Sequence, residues 1–340
     1  MLEKPNLPDA EITALLAERY GLSAPRPVFL PVGNDVGAWS YRIDTSAGQF
    51  FLKVRLGPGY EPALSVPRYL REQGIEPVIA PLPARGGVLR VRSGAYRLAL
   101  YPYIQDARLP GGLTPEQWAV LGEAARRIHA TRLPFAMLRQ VRLDTFHPPW
   151  AAAVRAVYAR MERRPFANAQ QEAMEHFWRP RAAEIRRITA RAAELGKMLR
   201  ERAPTRVLCH GDLHTANLVI DDQGRVGIVD WDTLVFAPRE RDLMFVVENG
   251  LPTGAEQHFF TGAGSQPGYG LVQLDALALA YYRYEWVVQE LGDYGERIFP
   301  PENRPAPESV RAAAVEGMRA LFDPGNVVES AYRSEIALSP

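Results

Sequence analysis

The sequence predicts an α+β protein of two lobes, a small strand-rich N-terminal lobe and a larger, mainly helical C-terminal one. Three observations carry that expectation. Residues up to about 100 run as short strand-like segments broken by Pro and Gly. Beyond about residue 113, apolar positions recur at helical spacing. At 340 residues and 47% hydrophobic, the chain can fill about two cores. The 40 basic and 39 acidic side chains leave a net charge of +1, which excludes the basic footprint of a general nucleic-acid binder and the composition of a disordered chain. No apolar run reaches the roughly 18 residues of a membrane span, and Met1–Asp9 has no leader-like pattern, so a cytoplasmic protein is expected. The lone Cys209 excludes an internal disulfide framework and a cysteine-based zinc site.

The elements follow in chain order. Pro8 to Tyr20 reads as a helix with Ile12, Leu15 and Leu16 on one face. Pro27–Val32 and Trp39–Ile43 are strands around the turn Gly33–Gly37. Phe50–Val54 is a third strand, and Tyr96–Tyr103 a later one. Ala63–Gln73 is helix-like, with Pro67 disturbing its register. Thr114-Pro115-Glu116-Gln117 starts a strong helix: Thr caps, Pro occupies the first turn and Gln reaches back from three residues on. The charged stretch from 165 to 203 carries Ile185, Ile188, Ala192, Leu195 and Leu199 on one stripe, and Pro180 is expected to divide it into two helices. Gln273–Tyr294 and Glu308–Phe322 are further helices, the second stopped by Asp323-Pro324-Gly325.

Chemistry concentrates in residues 207–242. The strand Val207-Leu208-Cys209 leads into His210-Gly-Asp212-Leu-His214-Thr-Ala-Asn217. Leu218-Val-Ile220, a turn at Asp221–Gly224 and Val226–Asp230 then form a hairpin. A regular ladder centred between Gln223 and Gly224 would pair Leu218 with Val229 and set Asn217 opposite Asp230. An amide oxygen and a carboxylate would then share a hard cation such as Mg²⁺. Asp212 would lie at the same end, as a carboxylate able to orient an attacking hydroxyl and take its proton. His210 and His214 have helical spacing, but they follow a strand with no Glu between them, which argues against zinc.

With its Asp230-Trp-Asp232 follow-on, the His210–Asn217 segment resembles the catalytic and metal motifs of the aminoglycoside phosphotransferase and choline kinase family, which has a protein-kinase-like fold. It keeps the H-x-D-x-x-x-x-N spacing. Ala237–Phe245, Tyr281–Glu285, Phe322–Glu329 and Leu113–Trp118 resemble the spectinomycin (aminocyclitol 9-) phosphotransferases in particular. The resemblance implies Asp212 as catalytic base and Asn217 and Asp230 as Mg²⁺ ligands, with Asp232 assisting and His210 propping the loop. It further implies a five-stranded antiparallel N-terminal lobe over residues 1–102, which binds ATP, and a C-terminal lobe over 103–340. Lys53 would meet the α/β-phosphates, with Glu61 as its acid partner. Gly33–Ser40 would cover the phosphates with Ser40 as a donor, and Pro102 and Ile104 would read adenine through their backbone. Asp242 is expected to brace backbone near the catalytic loop. GTP is left open beside ATP.

An aminocyclitol acceptor carries ammonium groups, which call for carboxylates or aromatic faces; Tyr281 and Glu285, within one helical turn, are the candidates. Gly211 stands where protein kinases carry an Arg that reads a phosphorylated loop, and no Asp-Phe-Gly and Ala-Pro-Glu pair is present, so a small polar acceptor is expected rather than a protein. A metabolic kinase for choline, homoserine, a sugar or a fructosamine, or a non-catalytic nucleotide-binding protein, is the alternative.

Overall fold

Side-chain alternation along the first strands decides which residues face a core and which face outward. In the computed structural model, which describes residues 3–32, 37–105, 111–163, 165–247, 254–300 and 306–336, helix α1 (Asp9–Tyr20) precedes strands β1 (Arg26–Leu30), β2 (Ala38–Thr45) and β3 (Gly48–Leu56). Helix α2 (Pro62–Glu72), β4 (Val91–Ser93) and β5 (Tyr96–Pro102) follow. The sheet is antiparallel throughout, in the order β1-β2-β3-β5-β4. The three-residue β4 is too short to show a period in the sequence. Tyr41, Ile43, Leu52, Val54, Leu98 and Leu100 alternate onto one face and are buried with Ile12 and Leu16 of α1. A helix of twelve residues is marginal alone; burial of its apolar stripe, at about 1.5–3 kcal/mol per large side chain, holds it. The period of two turns Lys53 and Arg55 to the opposite face.

Contacts divide the chain into two compact units. The first takes the described residues of 1–142, 207–236 and 252–271, and the second those of 143–206, 237–251 and 272–340. This division differs from the lobes expected at 1–102 and 103–340: helix α3 (Pro115–Ala130) and the segment 207–236 belong with the N-terminal sheet. The α3 N-terminus carries the expected capping box, Thr114 accepting from the Gln117 amide while the Gln117 side chain accepts from the Thr114 amide.

In the second unit, helix Ala276–Ile298 is buried nearly all round and packs against helices Ala151–Met161, Ala169–Arg202, Glu308–Ala320 and Val327–Ile336. Asp275 caps it, accepting from the amides of Leu277 and Ala278. Pro180 does not split its segment: Ala169–Arg202 is one helix. The proline removes one amide donor, yet Met174 and Trp178 before it and Ile185 and Ile188 after it bury on a continuous stripe.

Candidate active site

Gly211 shapes the turn after strand Val207–Cys209. Its φ is +89°, and a Cβ there would stand 2.3 Å from the Thr233 carbonyl oxygen, so a side chain is excluded by conformation and by space. The buried His210 ties the turn down. Its Nε2 donates to the Val229 carbonyl at 3.0 Å, its Nδ1 accepts from the Asp212 amide at 3.3 Å, and its ring lies 4.6 Å from that of Trp231.

The Asp212 carboxylate is held from two sides. Asn217 Nδ2 donates to its Oδ2 at 3.0 Å and to the Asp212 carbonyl at 2.8 Å. His214 accepts from the Ala216 amide through Nδ1, which leaves its proton on Nε2, 3.2 Å from the same Oδ2. His214 is therefore a site residue that the sequence reading set aside along with zinc; the signal available was its position two residues after Asp212. Since Asn217 spends its amide nitrogen on Asp212, its oxygen is the atom left to face a cation.

The hairpin register differs by one residue from the expected one. Leu218 pairs with Ile228, Val219 with Gly227 and Ile220 with Val226. The cause lies in the turn: the Asp221 carboxylate accepts from the Gln223 and Arg225 amides and draws an odd residue into the loop, which centres on Gln223. Asn217 consequently faces Val229, whose amide donates to the Asn217 carbonyl at 3.0 Å, and Asp230 is one step further. Asp230 adopts φ +60°, a left-handed conformation uncommon for a residue with a side chain and frequent at functional sites. The hairpin docks on residues 77–79, the Ile228 amide donating to Pro77 and the Ile79 amide to Ile228.

Lys53 reaches this end from β3. Its Nζ lies 3.0 Å from Asp230 Oδ1 and 2.9 Å from Asp232 Oδ2, and Arg55 donates to the same Asp232 oxygen. Burial opposes charge on Lys53, but Asp230 and Asp232 outweigh it and hold the ammonium well above the usual lysine range. Burial likewise resists charge on Asp230, yet Lys53 keeps its carboxyl below the usual carboxylate range. Residues 210–232 thus carry both the braced Asp212 carboxylate and the aspartates that meet the charged Lys53, with Arg55 as a further member that sequence reading missed; its i, i+2 spacing from Lys53 was the available sign.

The other expected residues fall as follows. Ser40 stands opposite Lys53 on β2, whereas Gly33–Val36 of the expected phosphate loop lie outside the described residues. Glu61 is not the acid partner of Lys53. It precedes α2 and pairs with Arg90 at 3.0 Å, and the aspartates of the 230–232 turn occupy the lysine instead. Pro102 closes β5 opposite Phe50, and Ile104 follows in coil. Asp242 is buried in the helical turn Glu240–Leu243 of the second unit.

The acceptor assignment of Tyr281 and Glu285 is corrected. Tyr281 is 1% exposed and packs edge-on against Phe146 at 5.9 Å; Glu285 is 4% exposed and bound to Arg241. Their ring and charge are spent inside the helical core.

A family model described as the phosphotransferase enzyme family matches residues 28–277. Protein StrN of Streptomyces griseus is 28% identical over 280 residues, 80% of each chain. The crystal structure of spectinomycin phosphotransferase APH(9)-Ia in complex with ADP and spectinomycin matches with a TM-score of 0.84 at 29% identity, covering 97% of this chain and 99% of that one. A microcompartment-associated aminopropanol kinase, 16% identical, matches with a TM-score of 0.56 over 97% of this chain and 98% of its own, a likeness of fold.

Proposed function

The chain belongs to the phosphotransferase enzyme family, and from that premise we propose that it transfers the γ-phosphoryl group of ATP to a hydroxyl of an aminocyclitol or aminoglycoside-type acceptor, with spectinomycin as the first candidate. The observation that carries the reading is the Asp212 carboxylate, steadied by His214 and Asn217 and sharing one short segment with the turn whose aspartates hold Lys53. In the proposed reaction the acceptor oxygen attacks the γ-phosphorus, its proton passes to Asp212, and the bond to the bridging oxygen breaks to release ADP. Lys53 leaves the aspartates to bind the nucleotide phosphates. Asn217 Oδ1 and Asp230, a neutral and an anionic hard oxygen donor, fit Mg²⁺, which when bound offsets phosphate charge. His214 and Asn217 aim the Asp212 oxygens.

The acceptor class rests on the match to spectinomycin phosphotransferase over nearly both whole chains. An ATP-dependent reaction suits the cytoplasm, and among the described residues no helix is long and apolar enough to cross a membrane. The test is phosphoryl transfer from γ-labelled ATP, and in parallel GTP, to spectinomycin, other aminocyclitols and aminoglycosides, choline, homoserine, sugars and a fructosamine. Label on spectinomycin supports the proposal. Label confined to a metabolic alcohol would move the acceptor class, and nucleotide binding without transfer to any acceptor would leave a binding protein.

A further inference from the structure

We infer that Arg55 is a positioning residue that releases Lys53 for the nucleotide, by keeping the Asp232 charge compensated while Lys53 changes partners. The inference rests on the nucleotide reading above. In the structure Lys53 and Arg55 point from the same face of β3 and donate to the same oxygen, Asp232 Oδ2. Lys53 also donates to Asp230. Two cations therefore satisfy two carboxylates with one acceptor atom shared. When Lys53 moves to phosphate oxygens, Asp232 loses one of its two charged donors. With Arg55 in place the carboxylate keeps a charge-assisted partner, and the exchange leaves no uncompensated charge behind. Without Arg55, Asp232 would compete with the nucleotide for Lys53.

The ladder supports a specific placement of this arginine. Arg55 lies directly opposite Arg97 on β5, a like-charge pair that is unfavourable across a sheet unless an anion offsets it. Asp232 is that anion for Arg55. Both arginines line one hollow with Lys53, Arg90, Tyr60 and Tyr101, so the cationic wall extends past the lysine, and Asp232 stands where it can be passed from Lys53 to Arg55.

The experiment is ADP titration by calorimetry in EDTA, which removes any metal contribution of Asp232. Wild type is compared with Arg55→Met, Arg55→Lys and the double variant Arg55→Met/Asp232→Asn. Arg55→Met should raise the ADP Kd about tenfold, the weight of one charge-assisted hydrogen bond now competing for Lys53. Arg55→Lys should bind within about twofold of wild type, and the double variant should regain most of the loss because the competing acceptor is neutral. A second readout needs no nucleotide. Lys4, Lys53 and Lys197 are the lysines of the chain, so mass spectrometry resolves acylation of Lys53, which should slow in Arg55→Met and recover in the double variant. Equal ADP affinity in wild type and Arg55→Met overturns the inference, as does a double variant that binds as weakly as Arg55→Met. Failure of wild type to bind ADP both in EDTA and in Mg²⁺ overturns the nucleotide reading and this inference with it.

Discussion

Lys53 with Asp230 and Asp232 in the first unit, and Arg241 with Glu285 in the second, join the same kinds of charge in opposite settings. The Asp230 and Asp232 side chains are 50% and 32% exposed, whereas Arg241 and Glu285 keep only 11% and 6%. In the first cluster an acceptor is shared between two donors, and water or an incoming anion can replace either. In the second, burial opposes charge on Arg241, and Glu285 overcomes it and raises the guanidinium still further; the pair is closed to solvent on both sides. Phe146 packs on Tyr281, and the Tyr282 hydroxyl donates to Asp144 at 2.9 Å. An ion pair open to exchange is available to chemistry, and a sealed one serves the core. Damage to the open site should therefore cost rate and leave stability, and damage to the sealed pair should do the reverse.

The largest expected effect is at Asp212. Asp212→Ala should lower kcat by about 10²–10⁴-fold, the usual cost of a positioned base, while the ADP Kd and the urea midpoint stay close to wild type. Steady-state rates with the acceptor found in the transfer screen, set beside urea unfolding, make the check. A variant that turned over at the wild-type rate would remove Asp212 from the proton-transfer role. At the sealed pair, Glu285→Ala should cost about 3–5 kcal/mol of stability, because it removes the bound carboxylate from a buried guanidinium. The folded fraction should keep both KM values. A stable Glu285→Ala protein with a raised acceptor KM would mean instead that the pair opens to a ligand. Next in size, Asp230→Asn should weaken ADP binding in Mg²⁺ by about tenfold and change it far less in EDTA, whereas Asp212→Ala should behave alike in both. Equal metal dependence in the two variants would take Asp230 out of the metal reading.

How much of this was legible follows the same divide. The α1 stripe, the β2–β3–β5 alternation and the Thr114 capping box are local patterns, and the sequence displays each in full. The His210–Asp232 motifs are local too, and the residues expected there lie in one turn-and-hairpin segment. What the sequence could not display were choices settled by tertiary contacts. Glu61 and the two aspartates are all plausible partners for Lys53, and only the fold shows that Arg90 takes Glu61. The hairpin slipped by one residue because side-chain bonds of Asp221 set the loop, a preference that a count of turn residues does not register. Tyr281 and Glu285 looked like a cationic-acceptor surface because an aromatic and an acid four apart have the same pattern whether they face a ligand or Arg241. Pro180 marked a break by its local chemistry, and apolar burial on both sides of it overrode that signal.

The smallest expected effect reads the open cluster through pH. Asp230 has a folded pKa below its ordinary value of 3.8, so its charge contributes stability that is fully present above the ordinary carboxylate range and is lost as pH falls through the lowered value. Lys53 is the mirror case: its raised pKa contributes below the ordinary lysine value of 10.5 and is lost only as pH climbs past it. Between these limits the pair is fully charged and its contribution is flat. Because Asp230 is half exposed, solvent screening holds that contribution to about 1 kcal/mol or less. Urea midpoints of wild type and Asp230→Asn should therefore differ by a constant small amount from about pH 5 to 9, and the gap should close below about pH 4, as the wild-type carboxylate takes up its proton. High salt should shrink the same gap at neutral pH, since partly exposed charges are screened. A gap that persisted undiminished at pH 2.5 would assign the difference to packing around the 230–232 turn and not to the charge on Asp230, and the open cluster would then have to be counted with the sealed one as part of the structural core.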